Sequence, residues 1–433
     1  MYISDSLTTN SDGHLALGGA DVVSLAKKYG TPLYLMDENK IRRVCREYVS
    51  ALKTCYGDEF LPFYASKAFS TKYIYKVVDE EGFGADVVSG GELYTALAAG
   101  FPSNKISFHG NNKTKGEIEF ALESEIRDFM VDNREELQMI NSIAKEKGKR
   151  AKVAFRIKPG VDAHTHDFVK TGQIDSKFGV ALENGEAFAI IKEALALDCV
   201  EVIGIHCHIG SQIFDAEPFA HAAEIMMNFS AKIKNELGYE IPELNLGGGF
   251  GVRYTDKDDP NSIFESVKNF TDKVKFMAAE LGLKKPFISI EPGRSIVAES
   301  GITVYTVGSV KEIKDVRTYV SVDGGMTDNP RYALYGSEYT VLLPERPEVE
   351  ATQTVTVAGR NCESGDLIGE NVKMPEVKSG DLLTVLTTGA YNYSMASNYN
   401  RVPRPPVVMI KNGVDKLIVR RETYEDIIAN DLI

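Results

Sequence analysis

FLPFYASKAFSTKYIYKVVDEEGFGADVVSGGELYTALAA, Phe60 to Ala99, shows two periodicities in alternation. Phe60 to Ala65 and Gly84 to Val88 are short aromatic and β-branched runs, as strands buried on both faces require. The stretches after them space apolar residues three and four apart, as in GELYTALAA (Gly91 to Ala99), so that one helical face can be buried. Strand, helix, strand, helix is a repeated βα unit, and such units build parallel sheets.

The same alternation continues along the chain. Lys105 to Phe108, Arg127 to Val131, Lys152 to Ile157, Glu201 to His206, Pro242 to Leu246 and Phe287 to Ile290 are predicted as further strands, with helical stretches such as Pro218 to Leu237 between them. With the first two these make eight units, which fill the ~250 residues that a (β/α)8 TIM barrel needs. The barrel is assigned to residues 37–294. After Glu291 the texture changes. Ile302 to Val307, Thr318 to Val322, Thr352 to Val357 and Leu382 to Leu386 alternate without long helices, separated by Gly, Pro and Asp, which predicts an appended, mostly β domain. Pro32 to Met36 also reads as a strand, so residues 1–36 are expected to join residues 295–433 in that domain.

Composition narrows the class of function. The chain has 433 residues, long enough for two cores, with 43% hydrophobic and 26% charged residues, close to the globular average. A net charge of -13 argues against nucleic acid, which calls for a concentrated basic face. The five cysteines (Cys45, Cys55, Cys199, Cys207, Cys362) are scattered and form no CxxC pair, so neither a disulfide framework nor a zinc ribbon is expected, and a reducing cytoplasm fits best. No apolar run approaches the ~20 residues of a membrane helix, and the first residues lack the pattern of a signal peptide.

Barrel enzymes carry their chemistry at the C-terminal ends of the strands. Here those ends bear Lys67, Ser89-Gly90-Gly91-Glu92, His109, Arg156, His208 with Ser211, Gly247-Gly248-Gly249, and Glu291 with Arg294. Turns favour Gly and Ser in any case, but not lysine and histidine. LGGGFG after the seventh strand leaves backbone N–H groups open to an anion, and the loops after strands seven and eight are the usual barrel phosphate site. A phosphate-bearing ligand is therefore expected. GGGFG is not the GxGxxG of a dinucleotide fold. His164 and His166 lack a third ligand at plausible spacing, so no metal is expected.

These residues also carry a resemblance. YASKAFS (Tyr64 to Ser70), DVVSGGEL (Asp86 to Leu93), FHGNNKT (Phe108 to Thr114), PGVDAHTH (Pro159 to His166), DSKFG (Asp175 to Gly179), HCHIGSQI (His206 to Ile213), LGGGFG, EPGRSIV (Glu291 to Val297), DGGMTDNPRYALY (Asp323 to Tyr335), CESGD (Cys362 to Asp366) and TGAYNYSMASNYN (Thr388 to Asn400) resemble the diaminopimelate decarboxylases, in that family's order and spacing. The blocks cover nearly the whole chain, and their joint occurrence is specific where any single one would be weak. Phe69 departs from the Asn of many relatives but leaves the lysine untouched. Membership implies an alanine-racemase-like enzyme of the group IV decarboxylases, dependent on pyridoxal 5'-phosphate (PLP), with a barrel beside a β domain and usually a homodimer.

The resemblance also implies roles. Lys67 would form the Schiff base, which needs an amine able to attack an aldehyde carbon. Glu291 would face the pyridine nitrogen and strengthen the electron sink. His208 would stack on the cofactor ring. Ser211, Gly247, Gly248, Gly249 and the backbone around Gly293 would hold the phosphate, with Tyr391 touching phosphate and substrate. Arg294 and Arg331, with Tyr335, would clamp the substrate's distal carboxylate, and Glu363 would meet its distal ammonium. Cys362 would return a proton, and Cys362 and Glu363 would reach into the partner's site. His206 is expected to be structural.

The expected reaction is decarboxylation of meso-2,6-diaminopimelate to L-lysine and CO2 through an external aldimine, the last step of lysine biosynthesis. The rivals are decarboxylases of ornithine, arginine or carboxynorspermidine, a racemase, and a non-catalytic homologue. Paired arginines disfavour a substrate ending in a bare ammonium, a racemase would need a second base and is not expected to carry CESGD, and a non-catalytic relative tends to lose the lysine, the cysteine or the glycine loop.

Overall fold

The computed structural model describes residues 2–161 and 176–433, and divides them into two compact units. One runs through Val44–Gly251 and Pro260–Gly293; the other comprises Met1–Arg43, Val252–Asp259 and Arg294–Ile433. The histidines considered above for a metal, His164 and His166, lie outside the described residues.

The first unit is a closed barrel of eight parallel strands: β1 (Phe60–Ala65), β2 (Gly84–Val87), β3 (Ile106–Phe108), β4 (Asp128–Val131), β5 (Ala151–Lys158), β6 (Val200–His206), β7 (Glu243–Asn245) and β8 (Phe287–Ile290). Closure is made by β8 against β1, with Ile288 opposite Phe60 and Ile290 opposite Pro62. A two-residue strand, Val180–Ala181, extends β5 at Ile157 and Lys158.

Helices follow the strands because the loops supply their caps. Thr71 accepts from the Ile74 N–H, Ser89 from Glu92 and Asn133 from Glu136, while Thr114 and Ser262 form reciprocal capping boxes with Glu117 and Glu265. Ser89, which sequence placed among the rim residues, is thus spent on starting a helix. The opposite mouth of the barrel is closed by a buried polar layer. Arg127 pairs with Asp128 and Glu243, Ser107 donates to Asp128 over 2.6 Å, and Ser289 donates to Glu243 over 2.7 Å.

The second unit is mostly β. Its main sheet runs, in spatial order, Leu367–Met374, Gln353–Ala358, Arg317–Val322, Gly301–Ile313, Leu33–Asp37, Val407–Lys411 and Val414–Val419. The N-terminal strand Leu33–Asp37 lies inside it, Leu35 opposite Ile302 on one side and Val408 on the other. Leu33, Leu35, Ile302, Val304, Val408 and Ile410 share the core beneath that strand. Gly301–Ile313 is far longer than the expected Ile302 to Val307: its exposed second half continues as a hairpin with Arg317–Val322.

Candidate active site

Glu291, one residue beyond β8, is the centre of the barrel rim. Its carboxylate is buried. Asn245, the last residue of β7, donates to Oε1 over 2.8 Å, and the Nε2 of His206, the last residue of β6, lies 3.1 Å from Oε2. His109, just after β3, brings its Nε2 to 3.1 Å from Oε1 and 3.9 Å from Asp86 at the end of β2. Burial alone would raise the pKa of Glu291, but the His109 and His206 imidazoles hold it well below the usual carboxylate range. The acid is thereby kept as an anion although it is buried. Oε2 has a single donor and retains a lone pair for a further N–H.

Beside Glu291 the glycine loop packs against neighbouring backbone too closely for side chains. A Cβ at Gly247 would come within 2.4 Å of the Cys207 carbonyl, one at Gly248 within 2.2 Å of the Glu291 carbonyl, and one at Gly249 within 2.4 Å of the Gly210 carbonyl. Gly247 and Gly249 also take φ of +68° and +116°. The loop is zipped to the segment carrying Ser211: the Ile213 N–H donates to Gly249 and the Gly251 N–H to Ile213, both over 2.9 Å. Gly293 is also closely packed, since a Cβ there would meet the Ala65 side chain at 2.9 Å. Side chains at these positions would strike neighbouring backbone, so only glycine lets the segments pack this closely; the Gly247 N–H is taken by Asn245 Oδ1 and the Gly248 N–H by His208 Nδ1.

Lys67 sits in the 3-10 turn Ser66–Ala68 that follows β1, anchored where the Tyr64 hydroxyl donates to the Phe69 carbonyl over 2.8 Å. Phe69 itself is buried, so the departure from Asn serves packing. The lysine is exposed and makes no hydrogen bond or ion pair with the described residues. Its positive charge is felt across the rim. Burial, then the Lys67 and Arg156 cations, push His208 well below the ordinary histidine range. His208 Nδ1 correspondingly accepts from the Gly248 N–H over 3.3 Å, which fits a neutral ring whose flat face is available.

In the second unit Arg294 and Arg331, both buried, share one aromatic ring. Their guanidinium carbons lie 4.8 and 5.2 Å from the centre of Tyr391, Arg331 also stands 5.2 Å from Tyr335, and Arg294 donates to the Tyr254 hydroxyl over 2.5 Å. Tyr391 adopts φ +70°, a strained setting for a residue with a side chain, which turns its ring between the two cations. Arg331 has no acidic partner among the described residues, and its Nε is buried without a hydrogen bond. Guanidinium forks of this kind can bind a planar anion such as a carboxylate. Cys362 and Glu363 lie on an exposed turn of the same unit, where the Cys362 N–H donates to Asn400 over 2.7 Å.

Of the residues expected from sequence, the barrel brings Lys67, His208, the glycines and Glu291 to one rim, and the β unit brings Arg294, Arg331, Tyr335 and Tyr391 to one cluster. Sequence reasoning did not single out Asn245 or Tyr254, and it set His206 aside as structural although that ring contacts Glu291. A signal was available in the position of Asn245 at the strand end before LGGGFG.

A buried anion flanked by a glycine loop and a reachable lysine, all on one barrel rim, defines the pyridoxal-phosphate class of enzyme. The family model described as "Pyridoxal-dependent decarboxylase, pyridoxal binding domain" matches residues 38–298. A diaminopimelate decarboxylase of Bacillus methanolicus is 49% identical, covering 98% of each chain, and that of Bacillus subtilis is 48% identical, covering 100% of this chain and 98% of the relative. The crystal structure of the M. jannaschii diaminopimelate decarboxylase in complex with L-lysine superimposes with a TM-score of 0.92 at 39% identity, covering 100% of this chain and 99% of that one. The chain belongs to the diaminopimelate decarboxylase family of pyridoxal-dependent decarboxylases. No helix among the described residues is long and apolar enough to cross a membrane.

Proposed function

We propose that this protein decarboxylates meso-2,6-diaminopimelate to L-lysine and CO2 with PLP as its cofactor. The carrying observation is the conjunction of an anionic, buried Glu291 with an exposed Lys67 on the same rim. When bound, PLP supplies an electron sink for the bond to the departing carboxylate. The residues here fit it: Lys67 Nζ would hold its carbonyl carbon, Gly247, Gly248, Gly249, Ser211 and the backbone at Gly293 its phosphate, His208 the face of its ring, and Glu291 the proton on its ring nitrogen. Tyr391 would touch phosphate and substrate.

Substrate choice rests on the β unit. Arg294 and Arg331, with Tyr335, offer paired N–H donors to the distal carboxylate of diaminopimelate, and Glu363 attracts its distal ammonium. Ornithine, ending in an ammonium alone, would be repelled by the two guanidiniums. Cys362 Sγ returns a proton to the carbon that loses CO2. The active form is a homodimer in which Cys362 and Glu363 of one protomer complete the site of its partner; their exposure in the single chain supports this. A reducing cytoplasm suits five cysteines that are scattered along the chain and form no CxxC pair.

The test is CO2 release from diaminopimelate, ornithine, arginine and lysine, with and without added PLP, together with borohydride reduction and peptide mapping. Release from diaminopimelate alone, dependent on PLP, with the adduct on Lys67, is expected. Turnover of ornithine in preference, or an adduct on another residue, overturns the reading.

A further inference from the structure

Three buried side chains beneath Glu291 have no part in the reaction as described: Asp86, His109 and His206. We propose that His109 and His206 are positioning residues which, one at each carboxylate oxygen, orient Glu291 and hold its charge toward the ring nitrogen of the cofactor. This rests on the PLP reading above.

The two imidazoles differ in surroundings. His206 Nε2 is 3.1 Å from Glu291 Oε2, while its Nδ1 is buried with no hydrogen-bond partner. A bare nitrogen lone pair is cheaper to bury than an unsatisfied N–H, so the ring is the neutral tautomer with its proton on Nε2, donated to the acid. His109 instead lies between two carboxylates, with Nε2 3.1 Å from Glu291 Oε1 and 3.9 Å from Asp86 Oδ1. His109 Nε2 meets hydrogen-bond geometry with neither carboxylate, so the ring acts on Glu291 by charge, as an imidazolium.

The rings meet edge to face, their centres 5.2 Å apart and their planes at 81°, so neither can turn without striking the other. They come from β3 and β6, elements that do not neighbour each other in the barrel sheet, and thereby pin the carboxylate from two directions. An acid on a loop after β8 has free side-chain torsions of its own, and these contacts remove them. Loss of either ring would let Glu291 rotate or take up a proton, and an uncharged acid no longer favours a protonated ring nitrogen.

The experiment uses the full-length holoprotein, with PLP labelled at the ring nitrogen, and the variants His206→Leu, His206→Gln, His109→Leu and His109→Gln. Nitrogen-15 NMR of the bound cofactor, PLP affinity, kcat and KM are measured. The leucine variants are expected to shift the ring-nitrogen signal toward the unprotonated form and to lower kcat by roughly ten- to a hundredfold, the usual cost of removing a supporting contact, with KM little changed. His206→Gln, which keeps a donor, is expected to restore most of the signal and of kcat. Folded leucine variants with the parent signal and parent kcat overturn the proposal. Should those not fold, the glutamine variants decide: His109→Gln keeps a donor without the charge and is expected to move the signal part of the way, and an unmoved signal overturns the proposal. A parent holoprotein lacking the Lys67 adduct would defeat the cofactor reading itself, whereas a parent with the adduct and a protonated ring, alongside unaffected variants, defeats only the positioning role.

Discussion

Asn245 joins the glycine loop to the rim acid: its Nδ2 donates to Glu291 Oε1 over 2.8 Å, while its Oδ1 accepts from the Gly247 N–H over 2.9 Å. One amide therefore ties together the two groups proposed to hold the phosphate and the ring nitrogen of a single cofactor.

Asn245→Ala is accordingly expected to weaken PLP binding by about tenfold or more, since it leaves a buried N–H and a buried carboxylate oxygen each short of a partner, at about 1–3 kcal/mol apiece. Titration of apoprotein with PLP, followed by fluorescence, measures the loss. An affinity equal to the parent's would show that the loop and the acid are positioned without it.

Arg331 is the cleaner probe of the distal-carboxylate site, because its guanidinium has no acidic partner within the described chain. Arg331→Met is expected to raise KM for diaminopimelate roughly ten- to a hundredfold, corresponding to a lost charge-assisted hydrogen bond of about 1.5–3 kcal/mol. Arg331→Lys should recover little, since an ammonium lacks the planar fork. Steady-state kinetics decide it, and an unchanged KM removes Arg331 from the substrate site.

Acid should weaken the barrel through His206. Burial first, and then the nearby His109 and Arg156 charges, lower its pKa from 6.5 to about 4 against the opposing pull of Glu291. Between those two values the unfolded chain binds the proton that the folded chain refuses, so stability falls as pH drops from about 6.5 toward 4, by about 3 kcal/mol in all. His109 works the other way: its pKa is raised against burial by Asp86 and Glu291, so its contribution is full below 6.5 and is lost as pH rises. Thermal melts of parent and His206→Gln at pH 7 and pH 5 separate the two, and the parent is expected to lose more on acidification than the variant.

Arg127 closes the other mouth of the barrel, paired with Asp128 and Glu243 and set 5.3 Å from the Phe63 ring. Arg127→Met strips two buried carboxylates of their counter-ion, for which about 3–5 kcal/mol of destabilisation is expected. Urea unfolding monitored on the barrel tests this. Arg127→Met combined with Asp128→Leu and Glu243→Leu should regain much of the loss, because a well-packed apolar layer needs no counter-ion.

How far the sequence carried is seen at its best elements. Phe60–Ala65 and Phe287–Ile290 were readable to the residue, because aromatic and branched residues dominate a strand covered on both faces and turn residues mark its ends. Gly301–Ile313 was only half readable: past Val307 it runs exposed and polar, and is held as a strand by its hairpin partner instead of by a buried face. Lys67, Glu291 and the glycine loop were legible because each stands at the end of such a strand, and their chemistry is local to a few residues.

Sequence alone therefore determined the barrel, the order of its strands and the reactive groups on their ends, since these follow from local periodicity. Tertiary structure alone decided what surrounds the acid. The contacts to Glu291 come from 46 and 85 residues away, at Asn245 and His206, and from further still at His109. Which strand ends face one another across the mouth depends on how the sheet staggers as it closes, and no pattern within a single strand encodes that stagger. The same holds for Tyr391, whose φ of +70° places one ring against two arginines distant in the chain: such a backbone persists only where the surrounding packing imposes it.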